Sequence, residues 1–231
     1  MIKAVFFDMY NTLSRFEPRR EGLQQRVCRE FGIEVTQSGI IKGYLVADDF
    51  MARENGRHHL AKRSKEERRE FFAEYERLIL RGAGVEAPLA LAGEIFQAIR
   101  KIPYQLALFD DAIPCLKALK ERGMTLGLIT NIYGDIRDTC DRLGITEYLD
   151  FVVTSGEVQS EKPHPPIFEA ALRKAGVQPS EAVHVGDQYN SDVIGARGVG
   201  IRPVLIDREG LMCQVGDCIK VRGLMEVLEQ I

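Results

Sequence analysis

The chain has 231 residues, 45% hydrophobic and 28% charged, with a formal net charge of -3. That length fits one domain, or one core with an insertion, and can bury a sizeable core without cross-links. The slightly acidic balance argues against general nucleic-acid binding, which needs a basic footprint, and no apolar run approaches a membrane span. Cys28, Cys115, Cys140, Cys213 and Cys218 are scattered with no Cys-x-x-Cys pair, as expected in a reduced compartment. The run Ala4 to Phe7 is too short for a signal-peptide core, so the cytoplasm is the expected location.

The first predicted strand, Lys3 to Phe7, is apolar on both faces, as a central parallel strand requires, and it stops at Asp8. Residues 15–104 then carry amphipathic helical stretches at Leu23 to Phe31, Ile40 to Met51, Lys65 to Leu80 and Leu89 to Ile99. Mixed charge from Arg53 to Arg81 fits a solvated helix face. From Ala112 onward helices and strands alternate. A helix over Ala112 to Arg122 buries Ile113, Leu116 and Leu119 and stops at Gly123. The strand Thr125 to Ile129 ends at Thr130-Asn131, and a helix over Ile136 to Leu143 ends at Gly144. Next come a strand at Phe151 to Val153 and a helix over Ile167 to Ala175, opened by Pro165-Pro166. A strand at Ala182 to Val185 ends at Gly186-Asp187, and a helix over Asn190 to Arg197 follows. The strand Arg202 to Ile206 and a helix over Leu224 to Leu228 close the chain. This alternation predicts an α/β fold with a doubly wound parallel sheet. The expected division is a core of residues 1–14 and 105–231 and an all-helical insertion of residues 15–104.

Ligands of such sheets bind beyond the C-terminal strand ends. Asp8, with Thr12 four residues on, reads there as a nucleophile able to form a covalent acyl intermediate. The hydroxyl and amide of Thr130-Asn131 suit a small anion site. Lys162, in Glu161-Lys162-Pro163-His164-Pro165-Pro166, can neutralise both a nucleophile and an incoming anion. Asp187 and Asp192 follow the fourth strand into a helix, and with Asp8 they gather three carboxylates. Such a group repels itself at low dielectric unless a hard cation binds, and Mg2+ with its waters fits oxygen ligands best.

Asp8 to Thr12, Thr130, Lys162, and Asp187 with Asp192 occur in the order that makes the chain resemble the haloacid dehalogenase-like hydrolase superfamily across its whole core. The insertion resembles that family's helical cap. The resemblance implies a phosphatase in which Asp8 attacks phosphorus and the aspartyl-phosphate is then hydrolysed. It implies Mg2+ held by Asp8, the backbone carbonyl of Tyr10 and Asp187, with Asp192 a ligand through water or an orienter of Lys162. Thr130 and Lys162 would hold phosphate oxygens, with Thr12 and Asn131 on the substrate side. The expected substrate is a small phosphorylated metabolite. No nucleic acid or membrane partner is expected, and a second copy of the chain is a candidate partner.

One position departs from the phosphatase pattern. Relatives with phosphatase activity carry a second aspartate two residues after the nucleophile, where this chain has Tyr10. A phenol with an ordinary pKa of about 10 is a poor general base near neutrality. Tyrosine here resembles the metal-free 2-haloacid dehalogenases, so dehalogenation through an aspartyl ester is a rival expectation. Asp187, and Phe168 where those dehalogenases carry a tyrosine, favour the phosphatase. A good leaving group, or a proton from His58 or His59, would offset the missing acid. A weakly catalytic binding or regulatory protein is the third expectation.

Overall fold

The four residues of β1 (Ala4–Phe7) are buried on both faces, and the core is ordered around them. A computed structural model of the chain describes residues 1–231, apart from the side chain of Ala61. In chain order β1 is followed by β2 (Ser14–Glu17), α1 (Arg20–Glu30), α2 (Gln37–Arg57), α3 (Lys65–Gly82), α4 (Leu89–Ile99) and β3 (Gln105–Leu108). Then come α5 (Ala112–Glu121), β4 (Thr125–Thr130), α6 (Arg137–Leu143), β5 (Phe151–Thr154), α7 (Ser155–Val158), α8 (Pro165–Ala175) and β6 (Ala182–Gly186). The chain ends through α9 (Gly195–Gly198), β7 (Arg202–Ile206), β8 (Ile219–Val221) and α10 (Leu224–Val227). Contacts divide it into two units, Met1–Arg15 with Leu106–Ile231, and Phe16–Gln105.

The first unit holds a six-stranded sheet in the order β5-β4-β1-β6-β7-β8. Every pairing in it is parallel. The period of two along β1 sorts its side chains between two apolar layers. Val5 and Phe7 pack with Leu116 and Leu119 of α5 and Leu224 and Val227 of α10. Ala4 and Phe6 pack with Ile167, Phe168 and Ala171 of α8 and Ala196 of α9. Helices on both faces of a parallel sheet make the doubly wound α/β arrangement that the alternation predicts.

The second unit is built from α1 to α4 around Ile40, Ala47, Ile79, Leu80, Ala92 and Ile95. Thr36 starts α2 by accepting a hydrogen bond from the Gly39 N–H at 3.1 Å. Ser64 and Glu67 start α3 with reciprocal side-chain to backbone bonds of 3.2 and 2.7 Å. The two helices meet at glycine: a Cβ on Gly43 would lie 2.1 Å from the Ile79 carbonyl oxygen. Among the described residues, no helix is long and apolar enough to cross a membrane.

Three short strands go beyond the predicted elements. Ser14–Glu17 and Gln105–Leu108 pair as a two-stranded ribbon, and Ile219–Val221 adds an edge to the main sheet. Each has three or four residues, too few to display a period. The expected single helix at Asn190 to Arg197 is instead a π-helical turn, Tyr189–Ile194, followed by α9.

Candidate active site

Parallel register brings the chemistry to one edge. Phe7 is opposite Leu128 of β4 and Val185 of β6, so the residues just beyond those strands converge. Asp8 extends the ladder by one bond, its N–H donating to the Val185 carbonyl at 2.9 Å. A tight turn follows. The N–H groups of Leu13 and Ser14 and the Ser14 hydroxyl all donate to the Met9 carbonyl, at 3.1, 2.9 and 3.0 Å. Asn11 takes a positive φ of 58° within it. Tyr10 is half-buried and bridges to Ser14 through its backbone.

Lys162 is almost fully buried. Its Nζ donates to Oδ1 of Asp8 and to Oδ1 of Asp192, both at 2.6 Å. The backbone beneath it is held by Asn131, whose amide donates to the Lys162 carbonyl at 3.1 Å and accepts from the Lys162 N–H at 2.7 Å. The Asn131 side chain, expected at an anion, therefore works at both of its ends on the lysine backbone.

Asp192 reaches the lysine because the π-helical turn folds it back over its strand. Its Oδ2 accepts from the Gln188 N–H at 3.0 Å, and its own N–H returns to the Gln188 carbonyl at 2.8 Å. Local π geometry of this kind often accompanies functional sites. Gly186 leaves the space, since a Cβ there would lie 2.1 Å from Cγ of Asp192.

Asp8, Asp187 and Asp192 offer carboxylate oxygens that all lie within 4.8 Å of one another. Three ionised carboxylates against one ammonium leave two negative charges at the edge of the sheet. Burial pushes the Asp8 carboxyl up to about 6, against the opposing pull of Lys162, while the neighbouring Asp192 adds to the rise. Burial also acts to raise Asp192, but Lys162 and His184 outweigh it and hold that carboxyl well below the usual range. Lys162 stays charged: burial disfavours the ammonium, and Asp192 and Asp8 more than compensate. An all-oxygen, net negative donor set suits a divalent cation. Asp8, Asp187 and Asp192 are the side chains placed to hold one.

Thr12 and Thr130 are fully buried, and neither hydroxyl has a hydrogen-bond partner. Buried hydroxyls are rarely left so; here they stand on the turn after Asp8 and at the end of β4, where an anion would meet them. Residues 8, 12, 130, 131, 162 and 187 thus all belong to loops and strand ends, and residue 192 to the π-helical turn, at one edge of the sheet.

Two residues outside the sequence-based set also support this edge. Arg208, after β7, donates to the Thr12 carbonyl at 2.9 Å and to both Asp111 oxygens at 3.0 Å, while lying 3.7 Å over the Phe109 ring. His184 lies inside β6 with Nε2 2.9 Å from Oδ1 of Asp192. A histidine in the middle of Ala182-Val183-His184-Val185 is the one sequence cue to it, because a polar ring in a fully buried strand needs a partner.

Residues 2–200 match the haloacid dehalogenase-like hydrolase family. Among similar proteins is a glyceraldehyde 3-phosphate phosphatase of Methanopyrus kandleri, 34% identical over 90% of this chain and 85% of its own length. A ribulose-1,5-bisphosphate 5-phosphatase of Halopiger xanaduensis is 30% identical over 90% of this chain and 85% of its own length. A solved 2-haloacid dehalogenase from Pseudomonas syringae pv. Tomato shares 24% identity, covering 99% of this chain and 97% of that one, with a TM-score of 0.58. That last likeness speaks for the fold alone. The chain belongs to the haloacid dehalogenase-like hydrolase family, and it is a hydrolase.

Proposed function

We propose that this hydrolase is a Mg2+-dependent phosphatase of small phosphorylated metabolites, with Asp8 as its nucleophile. The observation that carries the reading is the close group of Asp8, Asp187 and Asp192, with buried Lys162 bonded to Asp8 and Asp192. Phosphatase-named relatives that align over most of both chains point the same way.

In this reading Lys162 fixes the Asp8 carboxylate and keeps it ionised for attack. An Asp8 oxygen forms the bond to phosphorus as the ester oxygen departs with its electron pair. Water then attacks the aspartyl-phosphate, its oxygen enters the phosphate, and Asp8 returns as a carboxylate. Thr12, Thr130 and Lys162 offer hydroxyl and ammonium donors to phosphoryl oxygens, where charge builds in the transition state. A divalent cation on Asp8, Asp187 and Asp192, with the Tyr10 carbonyl as a further ligand, would supply charge neutralisation and Lewis acidity.

The test is phosphate release from para-nitrophenyl phosphate, glyceraldehyde 3-phosphate and ribulose 1,5-bisphosphate, with Mg2+ and with chelator. Turnover that needs the metal and falls at least about a thousandfold in Asp8→Asn supports the reading. Turnover indifferent to both chelator and Asp8→Asn overturns it. The metal-free dehalogenase alternative, raised by Tyr10, expects halide release from 2-chloropropionate in the presence of chelator.

A further inference from the structure

The His184 ring is fully buried in β6 among apolar neighbours. Its edge meets the Phe168 ring, with centroids 5.3 Å apart and planes at 87°. Neither packing partner nor strand needs a histidine there; a phenylalanine or leucine would serve the core better. Only one of its nitrogens has a partner. Nε2 lies 2.9 Å from Oδ1 of Asp192, while Nδ1 is buried with no hydrogen bond.

That asymmetry identifies the tautomer. The Asp192 carboxylate is ionised beside Lys162 and can only accept. The proton between the two must therefore sit on Nε2. A second proton on Nδ1 would place a buried donor where no acceptor faces it, so the ring is the neutral Nε2–H form.

We propose that His184 is a positioning residue: its Nε2–H locks the rotation of the Asp192 carboxylate, which in turn aims Lys162 at Asp8. This rests on the assignment of Asp8 and Lys162 to catalysis made above. Three donors define the Asp192 plane. Lys162 Nζ and His184 Nε2 converge on Oδ1, and the Gln188 N–H takes Oδ2. Without the histidine, Oδ1 keeps only Lys162 as a partner, and only the Gln188 N–H on Oδ2 opposes rotation of that carboxylate by hydrogen bonding. The ammonium then shifts from the line on which it meets Oδ1 of Asp8 at 2.6 Å. Supporting partners of this kind tune reactive groups that they never expose to substrate. Misalignment at the reacting centre weakens transition-state contacts more than ground-state binding, so kcat falls while KM holds.

Two measurements on the full chain test this. The first is the kinetics of His184→Phe and His184→Gln with para-nitrophenyl phosphate and Mg2+, beside thermal melts. A glutamine amide can donate from the place of Nε2, whereas a phenylalanine keeps only the packing. The expected result is a fall in kcat of about tenfold in His184→Phe with KM within about threefold, and recovery to within about threefold of the parent in His184→Gln. A kcat within about twofold of the parent in His184→Phe, or a folded His184→Gln no better than it, overturns the proposal. The second measurement needs no activity and no variant fold: nitrogen NMR of the metal-free parent labelled in histidine. An Nε2-protonated, Nδ1-bare signature for His184 supports the proposal, and an Nδ1-protonated ring overturns it. Asp8→Asn is the control for the reading underneath. Full metal-dependent turnover in that variant would defeat the nucleophile assignment whatever the His184 data show.

Discussion

Asp8 is pulled in opposite directions by its surroundings: burial raises its carboxyl to about 6, while Lys162 at 2.6 Å favours the charged form. A bound cation would add to the second effect and leave Asp8 fully ionised at neutral pH. Tyr10 has the opposite problem, because a phenol cannot readily do the work of a carboxyl as proton donor and general base. Placing an acid there gives the first prediction. Tyr10→Asp should raise kcat/KM for an alkyl phosphate such as glyceraldehyde 3-phosphate by at least about tenfold relative to para-nitrophenyl phosphate, whose leaving group needs no proton. Steady-state kinetics on the two substrates measure it, and an unchanged ratio would show that Tyr10 does not limit proton transfer. The sequence made Asp8, Lys162, Asp187 and Asp192 legible because together they occur in the motif order of the family, although each alone has ordinary structural uses. It could not disclose the partner of His184, the role of Arg208 or the double use of Asn131. Those depend on what touches across strands, and a side chain's partner is not encoded in its own neighbourhood.

At the scale of elements, α2 and α3 are packed backbone to backbone. Gly43→Val would force a side chain into the Ile79 carbonyl, 2.1 Å from the first added carbon. Such a close approach has no rotamer escape, so the helices must part, at a cost of several kcal/mol. The expected outcome is a clear fall in the melting temperature, measured by circular dichroism. A second prediction for the same helices concerns Glu76, which is buried on α3 and hydrogen-bonded to Gln24 of α1. Gln24 also accepts from the Tyr44 hydroxyl of α2 at 3.1 Å. Burial pushes the Glu76 carboxyl from 4.5 up to about 8, with the Gln24 bond opposing the shift. The folded state therefore binds a proton more tightly than the unfolded chain. Its contribution is full below about pH 4.5 and is lost as pH rises to about 8, a change on the order of a few kcal/mol. Denaturant midpoints of Glu76→Gln should fall less than those of the parent between pH 5 and pH 8; parallel curves would contradict this. The long elements of both units were legible from periodicity and from stops such as Gly123, Gly144 and Gly176. The π-helical turn was not. It accompanies bonds from Gln188 and Lys162 to one carboxylate, contacts that helical periodicity does not register.

At the scale of the whole chain, one parallel sheet turns distant residues into neighbours: Asp8 and Lys162 are 154 positions apart and share a hydrogen bond. The order β4-β1-β6 puts the strand of Asp8 between the strand of Thr130 and the strand leading to Asp187. Function is therefore a property of the sheet edge rather than of any segment, and the central claim is that Asp8 becomes phosphorylated there. The direct test is a rapid acid quench of the enzyme turning over para-nitrophenyl phosphate with Mg2+, followed by borohydride reduction and mass mapping of the peptide containing residue 8. An acyl phosphate at Asp8 would be reduced to homoserine, and the expected result is that conversion in the parent with metal and its absence in Asp8→Asn. Homoserine at a different aspartate, or undiminished phosphate release from Asp8→Asn, would contradict the account.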